Sequence, residues 1–114
     1  MEAVELAKKI VEAALNKQAF DILLLDLRGR CSFADYFVLC SGESERQIQA
    51  ICDEIDRVIA QEGLSLNRRE GKTDSGWVLL DLGNVIVHVF APQQREFYRL
   101  EKVWERASTV LKIL

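Results

Sequence analysis

Three features of the sequence predict an α/β (α+β) domain with a mixed sheet flanked by helices. Apolar runs of strand length alternate with amphipathic segments of helical period. Two of the runs, "WVLLDL" and "VIVHVF", flank Gly83-Asn84, the mark of a hairpin. No linker, repeat or low-complexity stretch divides the chain, so residues 1–114 are expected to form one domain of ordinary size.

In chain order, Val4, Ala7, Ile10, Val11, Ala14 and Leu15 recur at helical spacing, which predicts an amphipathic first helix. "FDILLLDL", residues 20–27, is a dense apolar run followed by "RGR", and its length fits a buried strand. "DYFVLCSG", residues 35–42, predicts a second strand stopped by Ser-Gly. Residues 44–63 predict the clearest helix. Ser44 caps its start, Gln47 completes a capping box, and Gly63 supplies a left-handed C-cap. Ile48, Ile51, Cys52, Ile55, Val58 and Ile59 form its apolar stripe. "SLNRREGKTDSG" is polar, with a short edge strand expected over residues 64–69. After the hairpin, Pro92 opens a last helix, and Phe97, Leu100, Trp104, Ala107 and Leu111 give it an apolar face.

The chain is 49% hydrophobic and 29% charged, a globular balance, and its net charge of -3 argues against a general nucleic-acid coat. That charge leaves room for a protein partner that itself sits on nucleic acid. Cys31, Cys40 and Cys52 are odd in number and lack zinc spacing, which predicts reduced thiols in a reducing compartment. No stretch approaches the roughly 20 apolar residues of a membrane span. Glu2, Glu5 and Glu12 argue against a secretory or transit peptide, so a cytoplasmic protein without membrane contact is expected.

Residue types that carry catalysis are sparse. His88 is the single histidine, so no His-based metal cluster is available, and neither metal nor cofactor is expected. Asp21, Asp26, Asp35, Asp53 and Asp81 are scattered, whereas two-metal phosphoryl transfer needs converging carboxylates. Asp26 and Asp35 stand near strand ends and are the pair that could meet; turn carboxylates are the simpler reading. "SGES", residues 41–44, precedes a helix N-terminus, where phosphate can bind, but lacks the glycine pattern of a phosphate loop. Arg68, Arg69 and Lys72 read as a solvated loop or as an RNA-backbone contact. No catalytic residue is expected.

The hairpin raises a sharper question. With a two-residue turn, Leu82 and Val85, Leu80 and Val87, and Val78 and Val89 pair on one aliphatic face. The other face pairs Asp81 with Ile86, Leu79 with His88, and Trp77 with Phe90. Either His88 and Trp77 lie half-buried under a helix, or the face is partly bare and meets a partner, with Arg95, Phe97 and Tyr98 beside it.

"ADYFVLCSGESERQIQAICDEI", "GWVLLDLGNVIVHVF" and "REFYRLEKVWERA" stand in an order and spacing that strongly resemble the ribosomal silencing factor (Iojap-like) family, over nearly the whole chain. The resemblance implies a mixed, roughly five-stranded sheet, nucleotidyltransferase-like without the catalytic residues, with Ser41-Gly42 where such enzymes carry a Gly-Ser motif. It implies a non-enzymatic translational repressor that binds the large ribosomal subunit through ribosomal protein number fourteen. Occupying that surface blocks association with the small subunit under nutrient limitation. Large-subunit biogenesis is a second implied role. Contact with ribosomal RNA would be secondary, and a homodimer of the free protein could use the same face. A nucleotidyltransferase-like enzyme or nucleotide-binding domain is the alternative. The expected partner-binding residues are Trp77, Leu79, Asp81, His88, Phe90, Arg95, Glu96, Phe97 and Tyr98. The aromatics would supply the centre, and Asp81 and Glu96 would pair with basic groups. Phe97 also belongs to the last helix's apolar stripe. The assignment fails if Trp77 and His88 lie buried under a helix of the same chain.

Overall fold

The computed structural model describes residues 1–98 and 107–114, without the side chains of Phe97 and Tyr98. The two dense apolar runs become β1 (Phe20–Asp26) and β2 (Tyr36–Ser41), paired antiparallel. Every residue of β2 is buried, as suits a strand covered on both faces. On its other side β2 pairs in parallel with β5 (Val85–Phe90), which pairs antiparallel with β4 (Trp77–Asp81). The edge strand β3 (Arg68–Glu70) joins β4, close to the expected edge strand but three residues long and wholly exposed.

The opposite edge corrects the sequence reading. Residues 108–113 are not helical; Ser108–Ile113 form β6, antiparallel to β1, so the sheet has six strands in the order β3-β4-β5-β2-β1-β6. Ala107 and Leu111 sit at a helical spacing, but an even spacing also suits a strand. Thr109, Val110 and Ile113 are β-branched and favour it. Leu100 and Trp104, also assigned to that last helix, lie outside the described residues.

Two helices cover one face of the sheet. In α1 (Ala3–Asn16), Leu6, Ala7, Ile10, Val11, Ala13 and Ala14 are buried, whereas Leu15, expected in the stripe, is exposed. α2 (Glu45–Gln61) buries Ile48, Ile51, Cys52, Ile55 and Ile59. They pack on Val38, Cys40, Val78, Leu80, Val85, Val87 and Val89, the aliphatic side of the hairpin and of β2. Ser44 caps α2, its Oγ accepting the Gln47 N–H at 3.1 Å. The reciprocal bond differs from a capping box: Gln47 Oε1 accepts from the Glu43 N–H at 2.6 Å, and its Nε2 donates to the Lys17 and Gln18 carbonyls. One side chain thus ties the start of α2 to the end of α1. At the C-terminus Gly63 is left-handed, and the Leu64 N–H reaches the Ile59 carbonyl, closing a Schellman motif.

The hairpin has the expected register, with Trp77 opposite Phe90, Leu79 opposite His88 and Asp81 opposite Ile86. Of the turn pair, Gly83 alone takes positive φ, at 91°, which fits a turn needing glycine at its first central position. Pro92 is the first residue of α3 (Pro92–Tyr98), as expected.

Candidate functional site

Side chains of alternate parity gather on the second face of the sheet. Leu25, Leu27, Ala34, Phe37, Leu39, Ile86 and Phe90 form a smaller buried cluster there, with Trp77 and Leu79 packed at its margin. Its aromatic rings touch in series. Trp77 stacks on Phe90 with centroids 5.0 Å apart, and Phe37 meets His88 edge-on at 4.7 Å. The Trp77 Nε1–H donates to His88 Nδ1 at 3.1 Å. A neutral imidazole that accepts at Nδ1 carries its proton on Nε2, and that atom is buried with no hydrogen-bond partner.

Burial pushes the His88 imidazole down from 6.5 to about 4. It is therefore neutral at physiological pH, which the bond from Trp77 requires. The unfolded chain takes up this proton near pH 6.5 and the folded chain near 4, so the unfolded state binds more protons between them. Stability is full above that window and is lost as pH falls through it, by about 3 kcal/mol. Denaturant melts from pH 7 to pH 4 should show this loss, and His88→Gln should remove that share of the pH dependence.

Two assigned contact residues are corrected by this geometry. Phe90 is 0% exposed and His88 4% exposed, so neither presents its side chain to a partner. The reason is position in the sheet: β5 lies between β4 and β2, and its side chains are enclosed from both sides. Trp77, Leu79 and Asp81 stand on β4, beside a three-residue edge strand, and are half-buried. His88 therefore acts from below, holding the Trp77 indole in place. Arg95 is half-buried, and its Nη1 donates to the Asp21 carbonyl and, at 3.0 Å, to Ser41 Oγ. It ties α3 to the ends of β1 and β2. Glu96 is exposed on α3. Phe97 and Tyr98 belong to α3, but their side chains lie outside the described residues.

The sequence reading missed Glu70 and Gly71. With Trp77 and Leu79 they line a cavity of about 250 Å³. Arg68 lies between two carboxylates on this side, 3.5 Å from Glu70 and 3.9 Å from Asp81. Gly71 has a φ of +84°, and a Cβ there would stand 2.1 Å from the Trp77 carbonyl oxygen. The glycine in "REGK" was the available signal. Gly71→Ala should cost about 2 kcal/mol or more, from left-handed strain plus this clash, read as a lower unfolding midpoint.

The groups considered for catalysis have local uses. The Asp26 carboxylate is held by Arg28, whose Nε and Nη2 donate to it at 3.0 and 2.8 Å and lower its pKa. "SGES" forms the end of β2, a turn and the α2 cap. Cys40 and Cys52 are buried free thiols, pushed up to about 12 and about 11 by desolvation, and Cys31 is a half-buried free thiol. Among the described residues no group of three or more His, Cys, Asp or Glu side chains could hold a metal ion. No helix among them is long and apolar enough to cross a membrane.

The family model described as "Ribosomal silencing factor during starvation" matches residues 1–113. The chain belongs to the ribosomal silencing factor family. The ribosomal silencing factor RsfS of Bacillus subtilis is 46% identical over 97 residues, covering 84% of this chain and 82% of that one. RsfS of Halalkalibacterium halodurans is 42% identical over 110 residues, covering 96% and 94%. A crystal structure of a Chromobacterium violaceum protein superposes with a TM-score of 0.88 at 30% identity, over 97% of this chain and 94% of that one. The silencing-factor fold is thus an α+β domain built on an open mixed sheet.

Proposed function

We propose that this silencing factor is a cytoplasmic, non-enzymatic translational repressor. It docks on the large ribosomal subunit through ribosomal protein number fourteen, and its bulk there keeps the small subunit from joining. The observation that carries the reading is the Trp77 indole, half-buried on β4, fixed by His88 and bordering the cavity it shares with Glu70. A rigid, half-buried aromatic is the kind of anchor that dominates protein contacts. Trp77, Leu79, Asp81 and Glu70 supply the contact, with Glu96, Phe97 and Tyr98 of α3 at its border. A mouse relative, 29% identical over 102 residues, is named "Mitochondrial assembly of ribosomal large subunit protein 1", which supports the choice of subunit. A role in large-subunit assembly would use the same surface, as would a homodimer of the free protein.

Sedimentation of purified subunits tests this. The chain should comigrate with large subunits from a matching source and reduce the joined-ribosome peak when small subunits follow. Absence from the large-subunit fraction overturns the proposal and makes nucleotide binding the next assay.

A further inference from the structure

We propose that the loop between β1 and β2 is a second contact of this protein, gripping ribosomal RNA: Phe33 stacks on an unpaired base and Arg30 pairs with a phosphate. This rests on the large-subunit docking above and adds a partner of different chemistry.

Phe33 is 61% exposed, the one aromatic among the exposed large apolar side chains of the described residues. Its loop is built to hold it there. The Leu27 N–H bonds the Asp35 carbonyl at 2.8 Å and closes the neck, and the Asp35 N–H bonds the Asn84 carbonyl at 2.8 Å. Within the loop the Leu27 carbonyl accepts the Arg30 and Cys31 N–H groups, and Gly29 turns the chain at a φ of +79°. Leu27 and Ala34 are buried at either end.

The loop also lies on the docking face. The Phe33 ring is 6.3 Å from Phe37, Phe37 is 4.7 Å from His88, and His88 holds Trp77. Phe33 and Trp77 thus stand at opposite ends of one row of rings on the same face of the sheet. An exposed guanidinium without an ion pair favours RNA as the occupant. Arg28 is committed, bonded to Asp26 and lying 5.5 Å over the Tyr36 ring. Arg30 is exposed and forms no ion pair among the described residues. The β4 side instead sets two carboxylates about one arginine, a poor match to phosphate. An exposed ring and an exposed guanidinium without an ion pair, carried on one loop, match a splayed base and its backbone.

The test compares wild type, Phe33→Ala and Arg30→Gln for binding to intact large subunits across a salt series, and to purified ribosomal protein number fourteen. Both substituted side chains are exposed, so circular dichroism and melting should match wild type. Phe33→Ala should weaken subunit binding about tenfold, within the range of one base stacked on an aromatic. Arg30→Gln should make the log–log salt slope shallower by about 0.7 to 0.9. Binding to the isolated ribosomal protein should be unchanged for both. Wild-type affinity and slope in both variants overturn the inference and leave the docking reading intact. An equal loss toward the isolated protein assigns the loop to protein and also overturns it. A wild-type chain that fails to bind subunits removes the docking reading, and this inference with it.

Discussion

Phe90→Ala is expected to lower the stability of the fold by about 3–5 kcal/mol, the range for emptying a large aromatic site in a packed core. The ring has no exposed surface, stacks on Trp77, and sits on a strand held by ladders on both sides. Such a backbone cannot close in on the space left behind, so the cavity cost persists. Urea melts at neutral pH measure this directly. A loss under about 1 kcal/mol would mean that Phe90 is not packed as described and would restore it as a contact residue. Phe90→Leu keeps much of the volume and should cost less than half as much as the alanine change.

Trp77→Ala should reduce binding to large subunits by about thirtyfold or more, the size expected when a central aromatic anchor is removed. The indole also stacks on Phe90 and bonds His88, so some stability goes with it. Binding must therefore be read where circular dichroism shows the variant folded. Trp77→Phe separates the two effects. It preserves much of the stacking but leaves the buried Nδ1 of His88 without its donor, which costs stability by about 1–3 kcal/mol. A folded Trp77→Ala protein that binds subunits like wild type would rule out this face as the docking surface.

What the sequence disclosed depended on how local the determining interactions are. The hairpin register follows from one glycine and the two-residue alternation on either side, so every pairing from Trp77–Phe90 to Asp81–Ile86 was readable. The cap at Ser44 and the left-handed Gly63 are equally local. β6 was not readable as a strand, because its partner β1 lies some 90 residues earlier and the spacing of Ala107 and Leu111 suits either period. At the site, the sequence placed Trp77, Leu79 and Asp81 on one face. It could not distinguish an inner strand from an outer one, and so it treated His88 and Phe90 as surface. Glu70 and Gly71 come to Trp77 only through the β3–β4 pairing and the tight turn at Thr73–Ser75.

The pairing of β6 with β1 has a consequence for synthesis. α1, α2 and the hairpin can assemble from residues already made, but the outer edge of β1 faces no partner until residues 108–113 emerge. Until then the chain carries an open apolar edge, the kind that recruits other chains. Late-arriving Thr109, Leu111 and Ile113 close it, so a chain interrupted before them should be prone to aggregate even with its other strands intact.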